Sequence, residues 1–145
     1  MTRSLVREHL FKLLFRIEFI PPEDMTEQIR LYFTDGFADE DHKSTGSDVP
    51  EKDREYIIGK YENIIRRLPE IDEMIDRSAK GWSISRIGKV ELSILRLAIY
   101  EMLYDDDIPV GVAIDEAVEL SKRFGQETSG PFVNGILATL AGQMI

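Results

Sequence analysis

The chain has 145 residues, a length that suits one domain with its own core, and we expect residues 1–145 to form a single domain. The absence of cysteine excludes disulfides and thiolate metal sites and is typical of a cytoplasmic protein. The formal net charge of −9 excludes a protein that coats nucleic acid by bulk charge, so any contact with RNA or DNA must rest on a local basic patch.

The first helix is predicted over residues 3–20, where two prolines end it. Arg3, Arg7, Phe11 and Phe15 follow one another at four-residue spacing, so that two cations and two rings share one strip of this helix. Single-stranded RNA is commonly held by cations on its phosphates and by rings under its bases, and the strip has that chemistry. The pattern alone favours the alternative that the rings enter the core and the arginines are solvated.

A second helix is predicted over residues 23–33, and the apolar periodicity then stops. Residues 34–50 are acidic and lack a repeating apolar pattern, so we expect a mobile surface loop there. The spacing of its acids and of His42 matches no metal-binding motif. A third helix is predicted to begin near Asp48 and to stop at Pro69, and a short fourth helix follows.

The fifth helix, over residues 90–104, is apolar around most of its circumference and is therefore predicted to be central. Arg96 projects from an apolar face of this helix, where an unpaired guanidinium would be unfavourable. We expect an ion pair with a buried carboxylate, and Glu116 on the next helix is the favoured partner. Ahead of the helix, Trp82 is predicted to plug one end of the core together with Ile84 and Ile87.

Two further helices are predicted, one over residues 110–124 and one that begins at 129–131. No segment alternates as a strand does, so the fold is predicted to be all-α with about seven helices. No apolar run approaches the roughly 20 residues of a membrane span, and the amino terminus lacks the pattern of a secretory signal. Neither His9 nor His42 stands in a context typical of a catalytic base or ligand. The residues alone thus indicate a helical binding module without cofactor or metal, rather than an enzyme.

Four segments carry a resemblance to a known family. They are WSISRI from Trp82, ILRLAIYEM from Ile94 to Met102, DIPVGVAIDEAVELSKRFG from Asp107 to Gly125 and FVNGIL from Phe132 to Leu137. In this order and spacing they resemble the NusB family of bacterial transcription antitermination factors. The first helix agrees more loosely, through VREHLFKLLF.

The resemblance implies seven helices in two three-helix bundles that pack crosswise. It also implies that the protein binds the boxA element of nascent RNA together with NusE, which is also the small-subunit ribosomal protein S10. This pair helps to assemble an antitermination complex on RNA polymerase, especially during ribosomal RNA transcription. Neither catalysis nor a cofactor is involved.

The RNA surface of the family combines the start of the first helix with the loop between the last two helices. Matched residue by residue, it comprises Arg3, Arg7, Phe15, Gln126, Thr128, Ser129 and Phe132. Glu91 matches a family position that contacts NusE. The resemblance therefore makes RNA binding the preferred interpretation of the strip on the first helix.

Two alternatives stay open. One is a protein-binding helical adaptor without RNA specificity, because family members with strong RNA binding often carry a denser run of arginines before the first helix. The other is the RNA-binding domain of a ribosomal RNA cytosine methyltransferase, although we expect no catalytic domain in a chain that ends at Ile145. Some family members pair into homodimers that cover the RNA surface, and the sequence leaves the oligomeric state undecided.

Overall fold

The computed structural model describes residues 1–34 and 46–144, and helices dominate both ranges. The α-helices are α1 (Arg3–Arg16), α2 (Met25–Thr34), α3 (Glu51–Ser78), α4 (Lys89–Tyr104), α5 (Val110–Phe124) and α6 (Ser129–Gln143). Single turns of 3₁₀ helix lie between them at Pro22–Asp24, Gly46–Asp48 and Ile84–Arg86. The described ranges contain no strand, and the all-α prediction is confirmed.

One long helix, α3, replaces two of the predicted helices. Pro69 lies inside it and does not end it. A proline in a helix interior removes one backbone hydrogen bond and costs about 3 kcal/mol. The helix continues because it buries apolar side chains beyond the proline, where Ile71 and Ile75 are fully buried. The described residues therefore form six α-helices rather than about seven.

The chain divides into two compact units, Met1–Asn63 and Ile64–Ile145. The first, called the N-terminal unit below, contains α1, α2 and the beginning of α3. The second, called the C-terminal unit, contains the rest of α3 together with α4, α5 and α6. The single domain that the length predicts stays a prediction.

In the N-terminal unit, α1 is shorter than predicted, because it ends at Arg16 and residues 17–20 form a turn. The predicted loop over residues 34–50 lies for the most part outside the described residues, since 35–45, including His42, are not described. Its end is described, and Val49 there is only 2% exposed. Gly46 precedes it at a point where any side chain would collide with the backbone of Tyr32.

In the C-terminal unit, α4 is the helix around which the others pack. Its residues from Leu92 to Ile99 form an unbroken buried run. Both α5 and α6 contact α4 and each other. Within this unit the prediction of a central, largely apolar helix is confirmed.

The indole of Trp82 does not plug the core, so the prediction is wrong for this residue, whereas it is confirmed for Ile87. Trp82 is 46% exposed, whereas Ile87 is 4% exposed and fills the interior at this point. Gly81 has a φ of 81°, a conformation that favours glycine, and makes the turn that follows α3. The turn leaves the indole on the surface and brings the chain back into the core at Ile87.

Arg96 is buried and paired, but the carboxylate shown beside it is Asp72 of α3. Its Nε and Nη2 donate to the two carboxylate oxygens of Asp72, each at 3.0 Å. This bidentate geometry is favoured between a guanidinium and a carboxylate. The ion pair that the sequence predicts is thus present with a different partner, and a contact with Glu116 stays a prediction.

Candidate nucleic-acid interface

The amino-terminal turn of α1 presents one of the predicted cations to solvent. The hydroxyl of Thr2 accepts a hydrogen bond from the backbone N–H of Leu5 at 3.1 Å and caps the helix. Arg3 lies in this first turn and is exposed. Arg7, one turn further on, is only 3% exposed. Of the two predicted arginines, Arg3 is accessible to a phosphate, whereas the side chain of Arg7 lies beneath the surface.

Aromatic rings extend the strip along α1 and past its end. The ring centroids of Phe11 and Phe15 lie 6.1 Å apart, and those of Phe15 and Phe19 lie 5.0 Å apart. Exposure increases along this column, from 4% at Phe11 through the half-buried Phe15 to 63% at Phe19. Phe11 is therefore a core residue, while the other two rings reach solvent. Phe19 is absent from the predicted strip, although one more step of the four-residue spacing leads to it.

Behind the strip, α1 carries buried polar groups that anchor it within the N-terminal unit. Glu8 is 1% exposed and accepts a hydrogen bond from Nζ of Lys12 at 3.3 Å. His9 is fully buried, and its Nδ1 is hydrogen-bonded to the hydroxyl of Tyr32 on α2. Burial lowers the pKa of His9 below its ordinary value, and the nearby Lys12 cation lowers it further. The imidazole is therefore neutral at pH 7, so it joins α1 to α2 rather than adding a cation to the surface.

The loop between α5 and α6 is held by one buried hydroxyl. Ser129 is 2% exposed, and its Oγ donates to Oε1 of Glu91 at 2.6 Å. The same Oγ accepts a hydrogen bond from the backbone N–H of Gln126 at 2.9 Å. Three residues predicted for two different binding surfaces thus form one network. Because a single hydroxyl makes both bonds, it fixes the start of the loop relative to the first turn of α4.

Two glycines leave room for this network. A side chain at Gly88 would collide with the carboxylate of Glu91, and a Cβ at Gly125 would lie 2.6 Å from Oγ of Ser129. At Gly125 the same Cβ would also lie 2.8 Å from the carbonyl oxygen of Ser121, so only glycine fits there, whereas at Gly88 the contact is with the movable end of the Glu91 side chain. The backbone at Gly125 therefore packs closely against Ser129.

Accessibility separates the predicted loop residues into two groups. Gln126 and Thr128 are exposed, whereas Ser129 is buried in the network. A ligand can reach the first two directly, and Ser129 positions them. Glu91 is half-buried with its carboxylate directed to the loop, and its predicted contact with a protein partner stays a prediction.

A shallow cleft of about 990 Å³ lies beside this loop, between α5 and α6. Its charged lining consists of Asp115, Glu119, Glu127 and Lys122. Three carboxylates against one ammonium group repel a phosphate backbone. The cleft is therefore a poor path for RNA, although Gln126 also lines it.

Phe132 in the first turn of α6 has a surface neighbour that the sequence assigns to the core. Its ring meets that of Trp82 edge to face, with the centroids 5.7 Å apart and the planes at 75°. Phe132 is half-buried and Trp82 is 46% exposed. The two rings form one aromatic surface that continues from the α5–α6 loop.

The predicted residues are divided between the two units. Arg3, Arg7 and Phe15 belong to the N-terminal unit, and the loop residues with Phe132 and Glu91 belong to the C-terminal unit. Among residues 1–34 and 46–144, no three acidic or histidine side chains are grouped where they could hold a metal ion. In the same ranges, none of the helices has the length and apolar character needed to cross a membrane.

Comparisons with known proteins agree over nearly the whole chain. A family model described as the NusB family matches residues 4–142. The transcription antitermination protein NusB of Lachnoclostridium phytofermentans is 45% identical over 138 residues, which cover 95% of this chain and 97% of that protein. The solved structure of T. maritima NusB matches with 37% identity and a TM-score of 0.77, covering 99% of this chain and 92% of that one. A structure of the antitermination factors NusB and NusE in complex with double-stranded RNA matches with 25% identity and a TM-score of 0.73 over 99% of each chain.

Proposed function

The chain belongs to the NusB family, and we propose that it is a transcription antitermination factor that binds boxA-type RNA together with NusE. The observation that carries the proposal is the match, over 99% of both chains, to a NusB solved in complex with NusE and double-stranded RNA. An exposed arginine in the first turn of α1, two solvent-reaching rings at and beyond its last turn, and a hydrogen-bonded polar loop in the C-terminal unit supply groups suited to RNA.

The roles of the predicted residues follow from their accessibility. The exposed Arg3 contacts a phosphate, and the half-buried ring of Phe15 stacks on a base. Gln126 and Thr128 offer side-chain donors and acceptors to the RNA. Arg7 and Ser129, both nearly inaccessible, support these groups from beneath rather than touching the ligand.

Charge limits what the isolated chain can do. The net charge is −9, and with Arg7 beneath the surface Arg3 is the one accessible arginine among the residues predicted for RNA. The affinity of the chain alone for RNA is therefore modest and strongly dependent on salt, and NusE supplies some of the contacts with RNA. The first turn of α4, which carries Glu91, is the proposed side for NusE.

The complex acts with RNA polymerase during ribosomal RNA transcription, in the cytoplasm. The chain contributes binding and no catalysis to it. These statements rest on membership of the family, whose named relatives are antitermination proteins.

The test is a titration of labelled boxA RNA with the full chain, alone and with NusE, at two salt concentrations and against a scrambled RNA. We expect the complex to prefer boxA and to bind it markedly better than the chain alone. Arg3→Ala should weaken binding and reduce the slope of log affinity against log salt by about 0.7, the value for one phosphate contact on a single strand. Lys52→Ala removes an exposed cation from the first turn of α3 and is the matched control.

Equal affinity for boxA and scrambled RNA would contradict the function. If NusE still binds in that case, the chain is a protein-binding adaptor. Equal affinity for boxA with and without NusE would contradict the proposal that NusE contributes to RNA binding, and would leave the rest of the proposed function intact.

A further inference from the structure

The connection between α3 and α4 is the most basic stretch outside the predicted RNA surface. Between Asp76 and Glu91 the chain carries four cations and no acidic residue. The cations are Arg77, Lys80, Arg86 and Lys89; all four are exposed, and Arg77 forms an ion pair with Glu73. In a chain with a net charge of −9, this is the kind of local patch that a phosphate backbone requires.

A surface indole lies in the middle of this patch. Trp82 is 46% exposed, and the guanidinium of Arg86 lies over its ring, 5.6 Å from the centroid. The edge-to-face contact with Phe132 holds the indole from another direction. An aromatic ring supported by a cation and a second ring is the arrangement on which bases of single-stranded RNA stack.

The patch is ordered before any ligand arrives. The backbone N–H of Ile84 donates to Oδ1 of Asp76 at 3.3 Å, and the N–H of Ile87 donates to the carbonyl of Ile84 at 3.1 Å. Ile87 is buried and fixes the turn to the core of the C-terminal unit. Binding to a preformed surface loses less conformational entropy than binding to a flexible one.

The patch also continues a surface already assigned to RNA. Phe132, which touches Trp82, stands at the start of α6 directly after the loop that carries Gln126 and Thr128. A strand that contacts the loop can therefore reach the indole without leaving the C-terminal unit. The acidic cleft between α5 and α6 offers no such continuation.

We infer that residues 77–89 are a second RNA-binding element, in which Trp82 stacks on a base and Arg86 and Lys80 contact neighbouring phosphates. The ligand is single-stranded RNA. The inference rests on the proposed function, because this RNA is the same boxA-type strand that the α5–α6 loop contacts. None of residues 77–89 is among the residues that the sequence predicts to bind RNA.

Trp82 is the only tryptophan among five tyrosines, so emission excited selectively at the indole reports on this site alone. The full chain is titrated with boxA RNA while tryptophan emission and the signal of a label on the RNA are followed together. We expect emission to be quenched with the same midpoint as the label signal, and bound RNA to protect the indole from acrylamide. Unchanged emission with RNA shown to be bound overturns the inference and leaves the proposed function intact. Absence of boxA-dependent binding in the label signal overturns both.

Substitutions separate stacking from charge. Trp82→Ala should weaken RNA binding between about five-fold and about 150-fold, the range for loss of one stacked base, without changing the salt slope. Arg86→Ala should reduce that slope by about 0.7. The matched controls are Tyr56→Ala, which removes a side chain 52% exposed on α3, and Arg66→Ala, which removes an exposed cation from the same helix. If the first pair of variants binds RNA as the controls do, with all four folded, the inference is wrong.

A protein partner is the remaining occupant to be tested. If NusE without RNA changes the emission of Trp82, and Trp82→Ala weakens NusE binding while RNA affinity is unchanged, the patch is a protein-binding surface. That result overturns the RNA assignment.

Discussion

Removing the Ser129 hydroxyl tests whether one buried group holds the α5–α6 loop. Ser129→Ala deletes both the bond to Glu91 at 2.6 Å and the bond from Gln126 at 2.9 Å without adding volume. A hydrogen bond to a charged acceptor contributes about 1.5–3 kcal/mol to stability. Glu91 is half-buried, so water replaces part of what is lost, and the loop N–H adds a smaller loss. We expect the free energy of unfolding to fall by about 2 kcal/mol, which lowers Tm by about 4–8 °C.

Ser121→Ala is the matched control for this change. Ser121 is also fully buried, but its Oγ donates only to the carbonyl of Ala117 in the same helix, at 2.9 Å. That carbonyl lies within the hydrogen-bonding pattern of α5, and alanine favours a helix, so the loss should stay below about 1 kcal/mol. Both variants are unfolded in urea and followed by the fluorescence of Trp82, which lies in the same unit.

A double-mutant cycle identifies the partner. Ser129→Ala and Glu91→Ala should be non-additive by about 1 kcal/mol or more, whereas Ser121→Ala and Glu91→Ala should add. The reasoning fails if the two serine variants lose equal stability, or if the first pair is additive with unchanged m-values.

Two other predictions concern buried charge. Asp72→Ala should lower the free energy of unfolding by about 2–3 kcal/mol, because it leaves the guanidinium of Arg96 without this carboxylate. The 28% exposure of Asp72 keeps the loss below that of a fully buried pair. The control is Glu73→Ala, which breaks an exposed ion pair with Arg77. In urea denaturation it should lower the free energy of unfolding by less than about 1 kcal/mol. Equal losses of stability in the two variants would contradict the role of burial. The pKa of His9 is lowered from its ordinary value of 6.5, chiefly by burial. As the pH falls, the unfolded chain therefore binds a proton at this histidine before the folded chain does. The stability that the neutral, buried imidazole contributes is fully present above pH 6.5 and is lost as the pH falls. In an NMR titration the His9 signal should have its midpoint below pH 6.5, and a midpoint at or above that value would contradict the assignment.

The helices could be predicted well where one cause dominated. The range of α5 and the central role of α4 in its unit follow from apolar spacing and a terminal glycine. The continuity of α3 could not be predicted, because Pro69 is a local signal against a helix while the burial of Ile71 and Ile75 depends on partners distant in the chain. A local cost of about 3 kcal/mol is offset when a turn of helix buries two isoleucines.

The candidate site could be predicted as a set of residue types but not as a set of accessible groups. Arg3 and Arg7 are equivalent in the four-residue pattern, yet only the first is exposed, because burial depends on what covers the helix. Trp82 is apolar and was assigned to the core on that ground, whereas the turn at Gly81 decides which way it faces. The partner of Arg96 likewise depended on which helix lies beside α4, and spacing along the chain carries no such information.

The network around Ser129 changes how the two predicted binding surfaces relate. Glu91 was assigned to a protein partner and Ser129 to RNA, yet the two side chains share a hydrogen bond, and Gln126 is held by the same hydroxyl. A partner that draws the carboxylate of Glu91 away from Ser129 would release the loop, and one that leaves the bond in place would keep the loop ordered. Coupling between two ligands is reciprocal in free energy, so any factor by which the proposed partner NusE changes the affinity for RNA must equal the factor by which RNA changes the affinity for NusE. In a chain with a net charge of −9, a loop ordered in advance is a direct way in which a protein partner can strengthen RNA binding.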